Sequence, residues 1–222
     1  NINRIDSYDD PISATYPLQV NASQMTFLIG DSEKMRLDTN GKLGIGTTTP
    51  ASYTSDTLVI SSGDQGGMTL VSADNVENYI SWADGTSGAA QLQAGFIGYN
   101  HASNYLRLGT SATERMRIAS DGKVGIGTSS PDGRLHVHTS SAGTVTAATD
   151  ANQLVLESTA NVGMSFLTGN ASAARIKFGD PDSNSSGAIV YAHSDNSMRF
   201  NTAGSERMRI DSSGKVGIGT TA

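Results

Sequence analysis

The sequence predicts an all-β fold made of repeated short-strand hairpin units, with its core built between chains rather than within one. Three observations point there. One motif occurs three times, as EKMRLDTNGKLGIGTTTP from Glu33, ERMRIASDGKVGIGTSSP from Glu114 and ERMRIDSSGKVGIGTTA from Glu206. Inside each copy apolar and polar residues alternate with period two, the pattern of a half-buried strand. Large apolar side chains are scarce: 36% of the 222 residues are hydrophobic, 6% are aromatic, and glycine occurs 25 times.

That scarcity decides between architectures. Ordering a backbone costs roughly 1–2 kcal/mol per residue, and a single chain this poor in apolar surface has little to set against it. Disorder is one escape, but charged residues are only 16% and the net charge is −6, so the charge-rich signature of disordered chains is missing. Short strands also expose many edges. Winding identical chains together covers the edges and supplies the core.

Each element of the repeat reads locally. In Met116-Arg117-Ile118 and Lys123-Val124-Gly125-Ile126-Gly127 the alternation gives two strands. Between them Asp121-Gly122, like Asn40-Gly41 and more weakly Ser213-Gly214, predicts a tight hairpin with both central residues at positive φ. Gly125 and Gly127 share one strand face, which predicts the close approach of another backbone, expected to be an adjacent chain. Leu58–Ile60, Met68–Val71, Phe96–Tyr99, Leu135–Val137, Leu154–Leu156, Met164–Leu167 and Ala188–Tyr191 complete the expected strands, and no stretch has helical periodicity.

The repeat extends upstream of the motif. Tyr99 and His101 match Tyr191 and His193, Leu106-Arg107-Leu108 matches Met198-Arg199-Phe200, and Ile80-Ser81-Trp82 matches Ile176-Lys177-Phe178. The organisation is then residues 1–50 as the end of an upstream repeat, 51–131 as one unit and 132–222 as the last. The start at Asn1, with neither an initiator Met nor a signal-peptide pattern, reads as a piece of a longer protein.

Ile176, Phe178, Gly179, Asp180, Gly187, Ile189, Tyr191, His193, Met198, Phe200 and the motif from Glu206 to Thr220 together resemble the shaft repeats of bacteriophage tail fibres and tailspikes. In many of these, the repeats lead into an endosialidase-type intramolecular chaperone domain. The resemblance covers most of the chain, closely from Ile176 onward and loosely before Pro50. It implies an elongated, interwoven parallel homotrimer on the virion, outside the cell. The implied partners are two further copies of the chain and other tail proteins.

Chemistry-bearing residues are few. Cysteine is absent, which removes disulfides and thiolate sites. Lys and Arg number 15 against 21 Asp and Glu, so no basic patch suits nucleic acid, and no apolar run is long enough for membrane insertion. No catalytic motif of the nucleophile-elbow, zinc-protease or phosphate-loop kinds is present. The expectation is therefore no enzyme and no cofactor. Tyr99, His101, Glu114 and their counterparts recur with the repeat, as structural residues do. Glu114 and Arg117 are expected to form ion pairs between chains. The loop from Asp180 lacks the Gly and Glu of a calcium-binding loop and reads as a polar turn. Trp82 matches Phe178, which favours packing over sugar stacking.

His136 and His138 form the one candidate metal site. Two apart on a strand, they share a face. If that face meets the axis of a trimer, six imidazoles can surround a divalent metal. In function the chain is expected to be a shaft segment positioning a receptor-binding tip for host attachment. Alternative readings are a host-glycan-binding module acting through the loops 84–94 and 180–186, a polysaccharide depolymerase, and a bacterial or archaeal surface fibre.

Overall fold

In a computed structural model of the chain, residues 23–54, 57–62 and 67–220 are described. They are almost entirely strand and turn, as expected. Two compact units divide the chain at residues 72 and 73. The first holds one sheet, β1 (Met25–Ile29), β2 (Ser32–Leu37), β3 (Leu43–Ile45) and β4 (Leu58–Ile60), paired in that order.

The second unit holds two sheets. One runs β5 (Glu77–Trp82), β6 (Gly95–Asn100), β7 (Tyr105–Thr110), β8 (Thr113–Ile118), β9 (Val124–Ile126), β10 (Leu135–His138) and β11 (Leu154–Glu157). The other runs β12 (Ala173–Phe178), β13 (Gly187–Ala192), β14 (Ser197–Thr202), β15 (Ser205–Ile210) and β16 (Val216–Ile218). Strands β5–β9 and β12–β16 are the same antiparallel meander, with β1–β3 matching its last three strands. After the GIGT segment the chain adds a parallel strand to the sheet just completed: β4 beside β3, then β10 beside β9 and β11 beside β10. The sheets therefore run past the repeat boundaries at 50 and 131.

Register sorts the side chains onto two faces. Ile80, Ile97, Leu108, Met116, Ile126, Val137 and Leu156 stand opposite one another across all seven strands. Ile176, Ile189, Phe200, Met208 and Ile218 do the same across five, and Phe27, Met35, Ile45 and Ile60 across four. None of these residues is buried. The buried apolar residues are instead Val59, Phe96, Ala188, Val190 and Ala192, which occupy the opposite faces. Trp82 and Phe178 close β5 and β12 across from Gly95 and Gly187. Their expected packing is partial: each lies against its glycine, and each remains 56% exposed.

On the other face, arginines meet arginines. Arg107 stands opposite Arg117, and Arg199 opposite Arg209, an unfavourable like-charge pairing unless each has a carboxylate. Each has one. Glu114 holds Arg117 through two bonds of 2.7 and 2.8 Å, and Glu206 holds Arg209 at 2.8 and 3.1 Å. Arg107 is gripped by Glu77 at 2.6 and 2.8 Å, with the Tyr79 hydroxyl also in reach. In the last unit Ala173 takes the position of Glu77, and Asp195 in the turn binds Arg199 in its place. Phe96, Tyr79 and Tyr105 pack under the guanidinium groups of Arg107 and Arg117. The Glu114–Arg117 pair and its two counterparts, Glu33–Arg36 and Glu206–Arg209, thus form within one chain, which uses the groups that could otherwise pair between chains.

Three further expectations are corrected. The Asp121-Gly122 turn has positive φ only at its glycine, as do the Asn40-Gly41 and Ser213-Gly214 turns. Five residues join the strands there, and the Gly122 N–H donates to the Ala119 carbonyl to close the turn. The two-residue turns with both φ positive lie one hairpin earlier, at Gly30-Asp31, Ser111-Ala112 and Ala203-Gly204.

The backbone that approaches the glycine face is the chain's own. A Cβ at Gly127, φ +77°, would lie 2.1 Å from the His138 carbonyl oxygen, and one at Gly46 would lie 1.8 Å from that of Ser61.

Met68–Val71 and Met164–Leu167 form no strand, because an apolar run becomes one only where a neighbouring edge satisfies its backbone groups. A single helical turn, α1 (Ala89–Leu92), sits in the loop between β5 and β6.

The polar turn from Asp180 is as expected, its carboxylate accepting from the Asp182 and Ser183 amides and the Ser186 hydroxyl. Tyr99 and Tyr191 stack edge-on against His101 and His193 in equivalent turns. Among the described residues no helix is long and apolar enough to cross a membrane.

Candidate functional site

The parallel strands after the second GIGT segment gather the residues with the most chemistry. β10 and β11 pair His136 with Val155 and His138 with Glu157. Alternation puts both imidazoles and the Glu157 carboxylate on one face, opposite the apolar row through Val137 and Leu156. Gly125 lies across from His136 on β9. Its missing side chain leaves room for the ring and for the segment after Gly127, which folds back until Thr128 touches Gly125.

That fold-back also delivers Asp132. Its backbone N–H donates to His136 Nδ1 at 3.2 Å. Single donor atoms of Asp132, His136 and Glu157 lie within 4.8 Å of one another. His136 Nε2 stands 3.0 Å from Glu157 Oε2, and His138 Nε2 stands 4.0 Å from the same oxygen. The two rings meet edge to face, with centroids 5.5 Å apart. His138 Nδ1 lies 3.3 Å from the Gly127 carbonyl oxygen, which can only accept, so a bond there needs the proton on Nδ1.

Glu157 is positioned from its other oxygen. The Ala142 N–H donates to Oε1 at 2.6 Å. That bond, with lesser help from the Ser141 hydroxyl and the two histidines, outweighs burial and holds the carboxyl below its ordinary range. The group faces a cavity of about 300 Å3 whose walls carry the hydroxyl residues Thr128, Ser130, Ser141, Thr144 and Thr146. A carboxylate, two imidazoles and a ring of hydroxyls suit a cation or a hydrogen-bonding ligand.

The sequence singles out the two histidines but misses Asp132 and Glu157. No local signal marks those two; the repeat adds an observation about His136 alone. β4 and β10 are equivalent strands, and the position of His136 is filled in β4 by Val59, across from Gly44 as His136 is from Gly125. Val59 is buried. The last unit thus places an imidazole where the earlier repeat packs a valine.

Compared with protein-family models and with curated protein sequences, the chain finds no match in either.

Proposed function

We propose that the chain is a shaft segment of a homotrimeric phage tail fibre or tailspike, a structural element that holds a receptor-binding tip away from the virion. The observation that carries this reading is the set of apolar rows left open on one face of every sheet. Among the described residues, sixteen strands carry a continuous apolar row in each sheet, and its members are exposed or only half-buried by their own chain. Soluble monomers seldom leave contiguous apolar patches above a few hundred Å2. Burial contributes roughly 25 cal/mol per Å2, so covering these rows with two identical chains is the dominant stabilisation open to the molecule. The repeat of one meander along the chain supports a length-setting role, and the resemblance of its motif to tail-fibre shafts supports the virion as its place.

Light scattering on the purified chain tests the reading. Three chain masses in the particle are expected. Replacing Phe178, at an exposed end of its sheet, by Glu should shift the mass toward one chain. A folded monomer with the native sequence overturns the proposal.

A further inference from the structure

We infer that Asp132, His136 and Glu157 form a site for one divalent metal ion of the zinc class, assembled within a single chain, which His138, 4.0 Å from Glu157 Oε2, joins as a fourth donor by moving closer. The inference does not depend on the number of chains in the particle.

Donor spacing is the first ground. Ligand atoms at 2.0–2.2 Å from one zinc ion stand roughly 3–4 Å from each other. The distances of 3.0 and 4.0 Å from Glu157 Oε2 to the two Nε2 atoms fall in that range. Mixed imidazole and carboxylate donors suit zinc better than calcium or magnesium, which take oxygen ligands.

The second ground is independent of the cluster. His136 is 2% exposed, and its Nε2 has no well-directed hydrogen bond despite the nearby carboxylate. A buried polar atom left unsatisfied is costly. The equivalent strand β4 has Val59 at this position, with no polar atom to satisfy. An ion at the mouth of the cavity satisfies His136 Nε2.

The surroundings supply most of the support that metal ligands need. Gly127 orients His138 through Nδ1, as a carbonyl behind a metal-bound histidine does. The Ala142 amide fixes Glu157. One contact opposes binding: the Asp132 N–H donates to His136 Nδ1, whereas an Nε2 that holds a metal needs its proton on Nδ1. Loading the site therefore breaks that bond and moves one proton from Nε2 to Nδ1. The Asp132 carboxylate already has an oxygen within 4.8 Å of the other two donor atoms.

The test is titration of the full chain with zinc chloride after chelator treatment, followed by calorimetry and native mass spectrometry. One zinc per chain is expected. Glu157→Gln and His138→Ala should each weaken binding by at least about tenfold, while His101→Ala leaves it unchanged. His136→Val, which copies the packing of Val59, should keep the circular dichroism spectrum and abolish both binding and the zinc-induced rise in melting temperature. No binding by the native chain, or binding that survives Glu157→Gln and His138→Ala, overturns the site and leaves His136 and Glu157 as a plain ion pair.

Discussion

Glu114 and Arg117 sit three residues apart on one strand, yet their side chains meet on the same face in a two-pronged ion pair of 2.7 and 2.8 Å. Regular alternation forbids this. The register between β7 and β8 jumps from Leu108↔Met116 to Gly109↔Glu114, passing over Arg115, and that bulge turns Glu114 to the face of Arg117. The same jump recurs opposite Phe27 and Phe200. The Glu-x-x-Arg spacing of the repeated motif is thus the signature of a bulge.

Replacing Glu114 by Gln removes one carboxylate from a face where Arg107 and Arg117 stand opposite each other. The two cations then share Glu77. The expected loss is about 1–2 kcal/mol, read as a lower urea midpoint with an unchanged slope. Restoring the charge with Asp, one methylene shorter, should recover less than half of the loss.

The two glycines that end successive GIGT segments should respond differently to alanine. Gly127→Ala puts a Cβ 2.1 Å from the His138 carbonyl oxygen at φ +77°, whereas at Gly219, φ +67°, no described atom lies within 4 Å. Gly127→Ala should cost more than about 2 kcal/mol and detach β10. Gly219→Ala should cost only the backbone strain, about 1–2 kcal/mol. Hydrogen exchange of the β10 amides distinguishes detachment from global loss.

Ser111 and Ala112 hold φ of +52° and +54° in a two-residue hairpin, a conformation that costs a non-glycine residue roughly 1–2 kcal/mol. Asn-Gly is the pair that fits this turn best. The double change Ser111→Asn and Ala112→Gly should stabilise the chain by about 1 kcal/mol, measured as a rise in melting temperature. An unchanged or lower value contradicts the turn assignment.

Acid should loosen the face that holds Arg107. Burial opposes ionisation of Glu77, but the bonds from Arg107 and Tyr79 outweigh it and hold its carboxyl below the ordinary 4.5. A depressed carboxyl stabilises the fold fully above that ordinary value, and the stabilisation is lost as pH falls through the lower folded-state value. Glu77→Gln should therefore cost about 1–2 kcal/mol at neutral pH. The difference between variant and native chains should shrink to near zero in strong acid. A difference that stays constant with pH sinks this account.

Much of the fold is legible in the residues, because period-two alternation and turn glycines act locally. Leu58–Ile60, Phe96–Tyr99, Leu135–Val137, Leu154–Leu156 and Ala188–Tyr191 all lie in strands. What sequence pattern misses is set by partners. Met164-Ser165-Phe166 alternates as a strand does but joins no ladder among the described residues. The glycine face of β9 does meet a backbone, but the chain that returns is its own, a fact fixed by the parallel pairing of β10. The candidate site is half legible for the same reason. His136 and His138 announce themselves by spacing, whereas Glu157 joins them only through the β10–β11 register, and Asp132 only through the fold-back after Gly127.

Strand order in all three sheets follows chain order. Each new strand therefore docks on one formed moments earlier, across short turns in the meanders and longer connections before the parallel strands β4 and β11, and contacts this local favour fast formation. A sheet can grow in step with synthesis, hairpin by hairpin. In the proposed trimer, the slow and concentration-dependent event is the meeting of finished sheets, so dilution should delay assembly while leaving the appearance of strand structure unchanged.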